Sequence, residues 1–404
     1  MNVANNTPNT IIRLAGRGDG ITADGRHVPL TAPGDVVGED GTIARGPHYA
    51  TPPCAHYPKC GGCQLQHVDE VSYAGFVADR VRHALVAQGI PNITVAAPHL
   101  SPPRTRRRAA LKAHRKGREV RLGFNEAGSH NLVDIRDCDV LHPALTALLK
   151  PLRPLLATMM KDRGSAEVQL TLLDQGVDVL LTKVEAEGLE AAEAIGAFAA
   201  THKLARLSLD EGYGVSARWE PEAATMTFDG VAVAFPQGAF LQATADGEAA
   251  LLAAVRAIVD GAGEVADLFA GLGTFALPLS THARVHAVEG ARDPVLALTQ
   301  AANRAKRLVT TEHRDLFRRP LTAAELARFG AVVLDPPRAG AKEQVAELAA
   351  SIVPRIAYVS CNPQTFARDA AALIAGGYHL SRVVPVGQFR WSTHVELVGS
   401  FIRR

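Results

Sequence analysis

At 404 residues the chain is too long for one ordinary domain and long enough to bury two or three cores. With 47% hydrophobic and 21% charged residues it reads as a soluble globular protein, and no segment reaches the roughly 18 apolar residues that a membrane span needs. The start, MNVANNTPNT, lacks a charged region followed by an apolar stretch, so a cytoplasmic protein without a membrane partner is expected.

In chain order, residues 10–50 carry short alternating runs with Gly-Asp and Asp-Gly turns, as in GRGDGITADG, which predict a small β-barrel of the OB type over residues 1–52. Next comes CAHYPKCGGCQLQH, with Cys54, Cys60 and Cys63 inside ten positions of a chain that has five cysteines. In a reducing compartment such a group reads as metal ligands rather than disulfides. The glycines of CGGC let the backbone turn around a compact centre, and the next cysteine is Cys138. Four thiolates at this spacing suit either a tetrahedral zinc or a cubane iron–sulfur cluster.

Residues 67–99 read as helical. They are followed by a run with Arg104, Arg106, Arg107, Arg108, Lys112, Arg115, Lys116, Arg118 and Arg121 against the single acid Glu119, so the formal charge of +2 hides a strongly basic region. Such a run is either a solvated face or a surface for a phosphate backbone. From about 165 to 235, EVQLTLL, GVDVLLTKV and VAVAFPQGAF predict antiparallel strands, completing a central domain over 53–235.

From 236 to 404 the pattern becomes strand, helix, strand, helix, which predicts an α/β fold with an open, doubly wound sheet. EVADLFAGLGTFALPLS holds a strand over Val265–Phe269 and a glycine turn at Gly271 and Gly273, and ARVHAVEG closes the next strand on Glu289. GLGTFA also fits the dinucleotide template, so a nicotinamide-dependent dehydrogenase is a rival to an S-adenosylmethionine enzyme at this point. Two later strands end in DPPR, residues 335–338, and SCNP, residues 360–363. Cys361 closes its strand at the rim, a position that suits a nucleophile better than a packed core thiol.

Together, DLFAGLGTF, DPPRAG, SCNPQTFARD, the terminal THVELV and the C-x5-C-x2-C group resemble the 5-methyluridine RNA methyltransferases, in particular their iron–sulfur-containing 23S ribosomal RNA branch. The resemblance runs from about residue 54 to the C-terminus. It implies a class I methyltransferase domain after the central β-rich iron–sulfur domain, and an N-terminal barrel similar to the RNA-binding TRAM domain. It also implies that residues 67–99 pack on the catalytic domain, and that Cys54, Cys60, Cys63 and Cys138 hold a [4Fe–4S] cluster. Cys361 then remains as the nucleophile that adds to carbon 6 of a uridine, and Glu396 of HVE as the base that removes the carbon 5 hydrogen. S-adenosylmethionine is expected against Gln242, Phe269, Gly271, Gly273, Thr274, Glu289, Asp315 and Asp335. Three positions depart from the family: Thr244 and Thr274 stand where Asn is common, and Arg390 follows Phe389 where Pro is usual. The expected substrate is RNA, 23S ribosomal RNA before transfer RNA, and a monomer is expected. A dehydrogenase leaves SCNP unexplained, a radical enzyme does not need Cys138, and a noncatalytic RNA-binding protein leaves Cys361 and Glu396 idle.

Overall fold

Runs such as AVVL and IAYV have no polar face, so they fit only a sheet covered on both sides. The computed structural model describes residues 8–403 and sets these runs in the middle of a nine-stranded sheet. Its order is Val309–His313, Arg284–Glu289, Glu264–Leu268, Ala331–Leu334, Arg355–Ser360, Glu396–Arg403, Tyr378–Gly387 and Thr94–Val95, with His99–Leu100 also on the Tyr378–Gly387 edge. The first five run parallel, and Glu396–Arg403 inserts antiparallel to its neighbours. Alternate residues feed opposite cores. Ala266, Val332 and Ile356 face one cluster, and Val265, Val333 and Ala357 the other. Chain order reverses between Glu264–Leu268 and Ala331–Leu334, where open sheets of this type bind ligands.

Segments far away in sequence complete this layer. The helix Glu70–Ala87 starts at Asp69, whose carboxylate accepts from Ser72 N at 2.8 Å, and buries Tyr73, Val77 and Val81 against the sheet. The hairpin Thr225–Phe228 with Val231–Ala234 packs on the opposite face, so the catalytic layer begins before the expected boundary at residue 236. No helix among the described residues is long and apolar enough to cross a membrane.

The central unit is a seven-stranded sheet with its own core, built around Leu111, Leu122, Val168 and Leu181. The expected antiparallel pairing fails at one place. Gly176–Thr182 and Arg206–Asp210 run parallel, because the helix Gly188–Thr201 between them supplies a crossover that a hairpin cannot. Ahead of it, residues 8–52 form two small sheets, Ile11–Leu14 with Gly20–Thr22 and His27–Val28, and Val36–Val37 with Ile43–Ala44, tied by a Thr10–Val36 bridge. Residues 1–7 of the expected barrel lie outside the described residues.

The basic run is not one solvated face. Arg107 is buried, its Nε donating to Gln242 O at 3.0 Å and its guanidinium pairing with Glu248 at 2.6 Å, so it ties the central sheet to the catalytic layer. Arg104 pairs with Asp139 and Lys112 with Glu167. Arg107→Ala leaves the largely covered Glu248 without its ion-pair partner, and is expected to destabilise the protein by up to about 3–5 kcal/mol in chemical denaturation. A change below about 1 kcal/mol would return Arg107 to a surface role.

Candidate active site

Strand register brings the distant motifs to one edge. Ser360 pairs with Leu397, the last pair of that ladder, so Cys361 just after the one and Glu396 just before the other emerge at the same sheet edge, close enough for their charges to interact. The strand ends at Ser360 rather than at Cys361, which occupies the turn into the helix Pro363–Ala375. That turn is fixed by Asn362, which caps the helix by accepting from Gln364 N at 3.1 Å and donates from Nδ2 to Arg338 O at 3.2 Å. SCNP is thereby locked to DPPR. Asp335 follows Leu334, its amide donating to Leu268 O at 3.2 Å, and lies between the glycine turn and Cys361.

The glycine turn is shaped for a close backbone approach. Phe269 is held at φ 63°, in a region that costs a bulky residue energy, and Gly271 and Gly273 follow at 54° and 88°. A Cβ on Gly273 would lie 2.5 Å from Leu298 Cδ1, so this glycine is also demanded by packing. Glu289 accepts from Gly271 N at 2.9 Å and from Ala291 N at 2.7 Å, which fixes its carboxylate at the strand end. Asp315 accepts from Phe317 N at 3.0 Å, and the Phe317 ring packs on Phe269 at 5.4 Å. Thr274 lies half-buried in the turn itself.

Gln242 is buried next to the same edge, its Oε1 accepting from Gln388 Nε2 at 2.8 Å, while Gln388 Oε1 accepts from Ala243 N at 3.0 Å. Thr244, the departure from the family's Asn, caps the helix Ala245–Val259 by accepting from Gly247 N at 3.1 Å and bonds Ser101 Oγ at 2.8 Å. Arg390, the other departure, pairs with Glu70 and lies over the Tyr73 and Trp391 rings.

Residues 226–404 match the family model described as tRNA (uracil-5-)-methyltransferase. The chain is 51% identical over 97% of its length, and 99% of the relative's, to an uncharacterized RNA methyltransferase of Zymomonas mobilis. It is 34% identical over 88% of its length, and 76% of the relative's, to the 23S rRNA (uracil(1939)-C(5))-methyltransferase RlmD of Chromohalobacter salexigens. The chain belongs to the RNA (uracil-5-)-methyltransferase family. Its reaction is methyl transfer from S-adenosylmethionine to carbon 5 of a uridine in RNA, which sets aside the dehydrogenase and the noncatalytic RNA-binding protein. The fold agrees. The Pyrococcus abyssi tRNA (uracil-54, C5)-methyltransferase, solved with S-adenosyl-L-homocysteine, matches 97% of this chain and 99% of its own with a TM-score of 0.75 at 22% identity.

For a methyltransferase the charge state of this edge matters. Burial, then the negative charge of Asp335, pushes Glu396 up to about 8, against the pull of Gln388 and Arg108. Burial pushes Asp335 up to about 7, although part of the residue still faces the cleft. Cys361 rises to about 11 through burial and the nearby Glu396 and Asp335, which outweigh a backbone hydrogen bond and the charge of Arg338. In the free protein burial, joined for Glu396 and Cys361 by like-charge repulsion, makes each of these groups hold a proton more tightly than in water.

Two further residues stand here: Asp267, for which the sequence carried no expectation, and Arg108, expected only as one of the basic run. Asp267 is fully buried with both carboxylate oxygens unpartnered, and burial, Asp335 and Glu289 push its pKa far up. Its signal was an acid inside the apolar run EVADLF, directly before the glycine turn. Arg108 stands over the Phe240 ring at 4.4 Å with its Nε buried and unpartnered, and its charge acts on both Glu396 and Cys361. It was hidden among neighbouring arginines.

The four expected cluster cysteines line one cavity, together with Arg106 and Gln66. Gly61 N donates to Asn125 O at 2.9 Å and a Cβ on Gly61 would meet that oxygen at 2.7 Å, so this glycine docks the turn on the central sheet. Gly62 has no such constraint, its Cβ position being 3.6 Å from Cys60 Sγ. Among the described residues, no three His, Cys, Asp or Glu side chains converge as ligands of a single metal ion. Burial pushes the Cys63 thiol up to about 12.

Proposed function

We propose that the protein methylates carbon 5 of one uridine in 23S ribosomal RNA through a covalent adduct on Cys361, released by Glu396. The observation that supports this reading is the Ser360–Leu397 pairing, which brings the neighbouring Cys361 and Glu396 to one sheet edge next to the Leu334 strand end that carries Asp335. The uracil ring at carbon 5 is too weak a nucleophile to take a methyl group unaided. Cys361 loses its proton to water in the cleft and the thiolate sulfur bonds carbon 6, moving the ring's double-bond electrons toward carbon 5. S-adenosylmethionine would be held by Gln242, Phe269, Gly271, Gly273, Thr274, Glu289, Asp315 and Asp335, and would supply the methyl group to carbon 5 with S-adenosylhomocysteine as the leaving group. Glu396 then takes the carbon 5 proton, the ring double bond re-forms, and the carbon 6–sulfur bond breaks to return the thiolate. Phe240, largely exposed, offers an open ring face to the target base, with the Arg108 cation on its other side.

Cys54, Cys60, Cys63 and Cys138 are proposed to hold a [4Fe–4S] cluster. Four thiols line one cavity, a donor set that suits thiolate ligation of such a cluster. With four thiolate ligands the cluster has no open iron and serves structure. Residues 8–52 are proposed as an RNA-binding unit similar to TRAM, 53–235 as the cluster and RNA-binding domain, and 236–404, with the helix Glu70–Ala87 and the 225–234 hairpin packed on it, as the methyltransferase domain. The substrate assignment follows the relative acting on 23S rRNA at 34% identity. Its test is transfer of a labelled methyl group to purified 23S rRNA or tRNA from cells lacking the gene, followed by nucleoside analysis. Labelled 5-methyluridine in 23S rRNA is expected, and label in tRNA alone would reassign the substrate.

A further inference from the structure

The loop that leads into Glu396 is held from outside its own domain. Trp391 O accepts from both Gln64 N at 2.8 Å and Leu65 N at 2.9 Å, and Thr393 N donates to Gln64 Oε1 at 3.4 Å. Gln64 follows Cys63 directly, and its Nε2 donates back to Gly61 O at 2.7 Å, inside the cysteine turn. A second contact runs in parallel. Arg106 lines the cysteine cavity and lies over the Phe389 ring at 5.3 Å, and that ring packs edge-on against His394 at 5.9 Å. Tyr73 OH donates to Phe389 O at 3.2 Å from the other side. Glu396 is the first residue of its strand, and its sheet pairing is with Val386 on the Tyr378–Gly387 side only.

We propose that the cysteine turn positions the catalytic base, with Gln64 and Phe389 as positioning residues that act through the 389–395 loop on Glu396. Cys361 is held separately, by the Arg355–Ser360 strand and the Asn362 cap. Loosening the loop therefore slows removal of the carbon 5 proton while leaving addition of the thiol intact. A base must lie within hydrogen-bond reach of its proton, and a displacement of about 1 Å costs on the order of 100-fold in rate. The inference rests on the covalent reading given above.

Three variants, Gln64→Ala, Phe389→Ala and Glu396→Gln, test it side by side, with the covalent protein–RNA band on a denaturing gel read alongside kcat and KM. Gln64→Ala and Phe389→Ala are expected to lower kcat by about 10- to 100-fold at unchanged KM and to raise the steady-state band, as Glu396→Gln does. A purely structural role would lower the active fraction without raising the band. Phe389 lies outside the thiol cavity, so its variant separates loop position from loss of a cysteine-bound group. If Glu396→Gln traps RNA and neither other variant does, the positioning role is overturned. If Glu396→Gln itself traps nothing, the covalent reading falls and this inference with it.

Discussion

Cys361→Ala is expected to abolish both methyl transfer and covalent attachment to RNA, whereas Glu396→Gln is expected to accumulate the attached, methylated complex. The two fail at different steps because they do different chemistry. Without its sulfur, residue 361 cannot bond carbon 6, and carbon 5 stays unreactive. Glutamine at 396 keeps the size of the side chain but cannot take the carbon 5 proton, and loss of a general base is typically worth about 10²- to 10⁴-fold. The pH profile separates them further. Glu396 is pushed up to about 8, so the fraction able to act as base rises with pH and levels off above that value. Adduct breakdown in the parent protein is therefore expected to quicken from pH 6 to about 8 and then flatten, and the residual breakdown in Glu396→Gln to lose that inflection. Near-normal methylation by Cys361→Ala would rule out the covalent route.

Protein isolated without oxygen is expected to be brown and to contain iron and inorganic sulfide, and Cys138→Ser is expected to lose both. The prediction turns on geometry. Cys138 reaches the cavity from the loop after the Leu132–Asp134 strand, far in sequence from the other three cysteines, so its ligation would pin that loop to the 54–63 turn. Metal binding of this type contributes directly to folding, because the unfolded chain has no such site. Cys138→Ser is thus also expected to unfold at lower denaturant concentration than the parent. Stoichiometric zinc and no iron in the parent protein would contradict the cluster.

What the sequence made legible, and what it hid, divides along the range of the interactions. The glycine turn, DPPR and SCNP each lie at the end of an apolar run, so alternating strand and helix signals place them on one sheet edge without any long-range knowledge. Glu396 carried no local signal, because the strand Glu396–Arg403 inserts between two others from the end of the chain. Its partnership with Cys361 is a matter of register alone. The arginine run misled for a related reason. Composition cannot tell Arg107, buried against Glu248, from Arg108, poised over Phe240, although they are adjacent. Their alternation along the start of the Arg108–Lys116 strand sends one toward the domain junction and the other into the cleft. The helix Glu70–Ala87 belongs to the catalytic core for a similar reason, its partners being some 300 residues away, as the Tyr73–Phe389 bond illustrates.

The most direct measurement of the central claim is to identify the bond between protein and RNA. RNA carrying 5-fluorouridine at the target site presents a carbon 5 whose fluorine cannot be removed as a proton, so a covalent intermediate has no exit. After incubation with S-adenosylmethionine, protease and nuclease digestion followed by mass spectrometry is expected to find a methylated fluorouridine nucleotide attached to the peptide containing Cys361. Attachment to a different residue, or an unmodified peptide from a protein that methylates natural RNA, would contradict it.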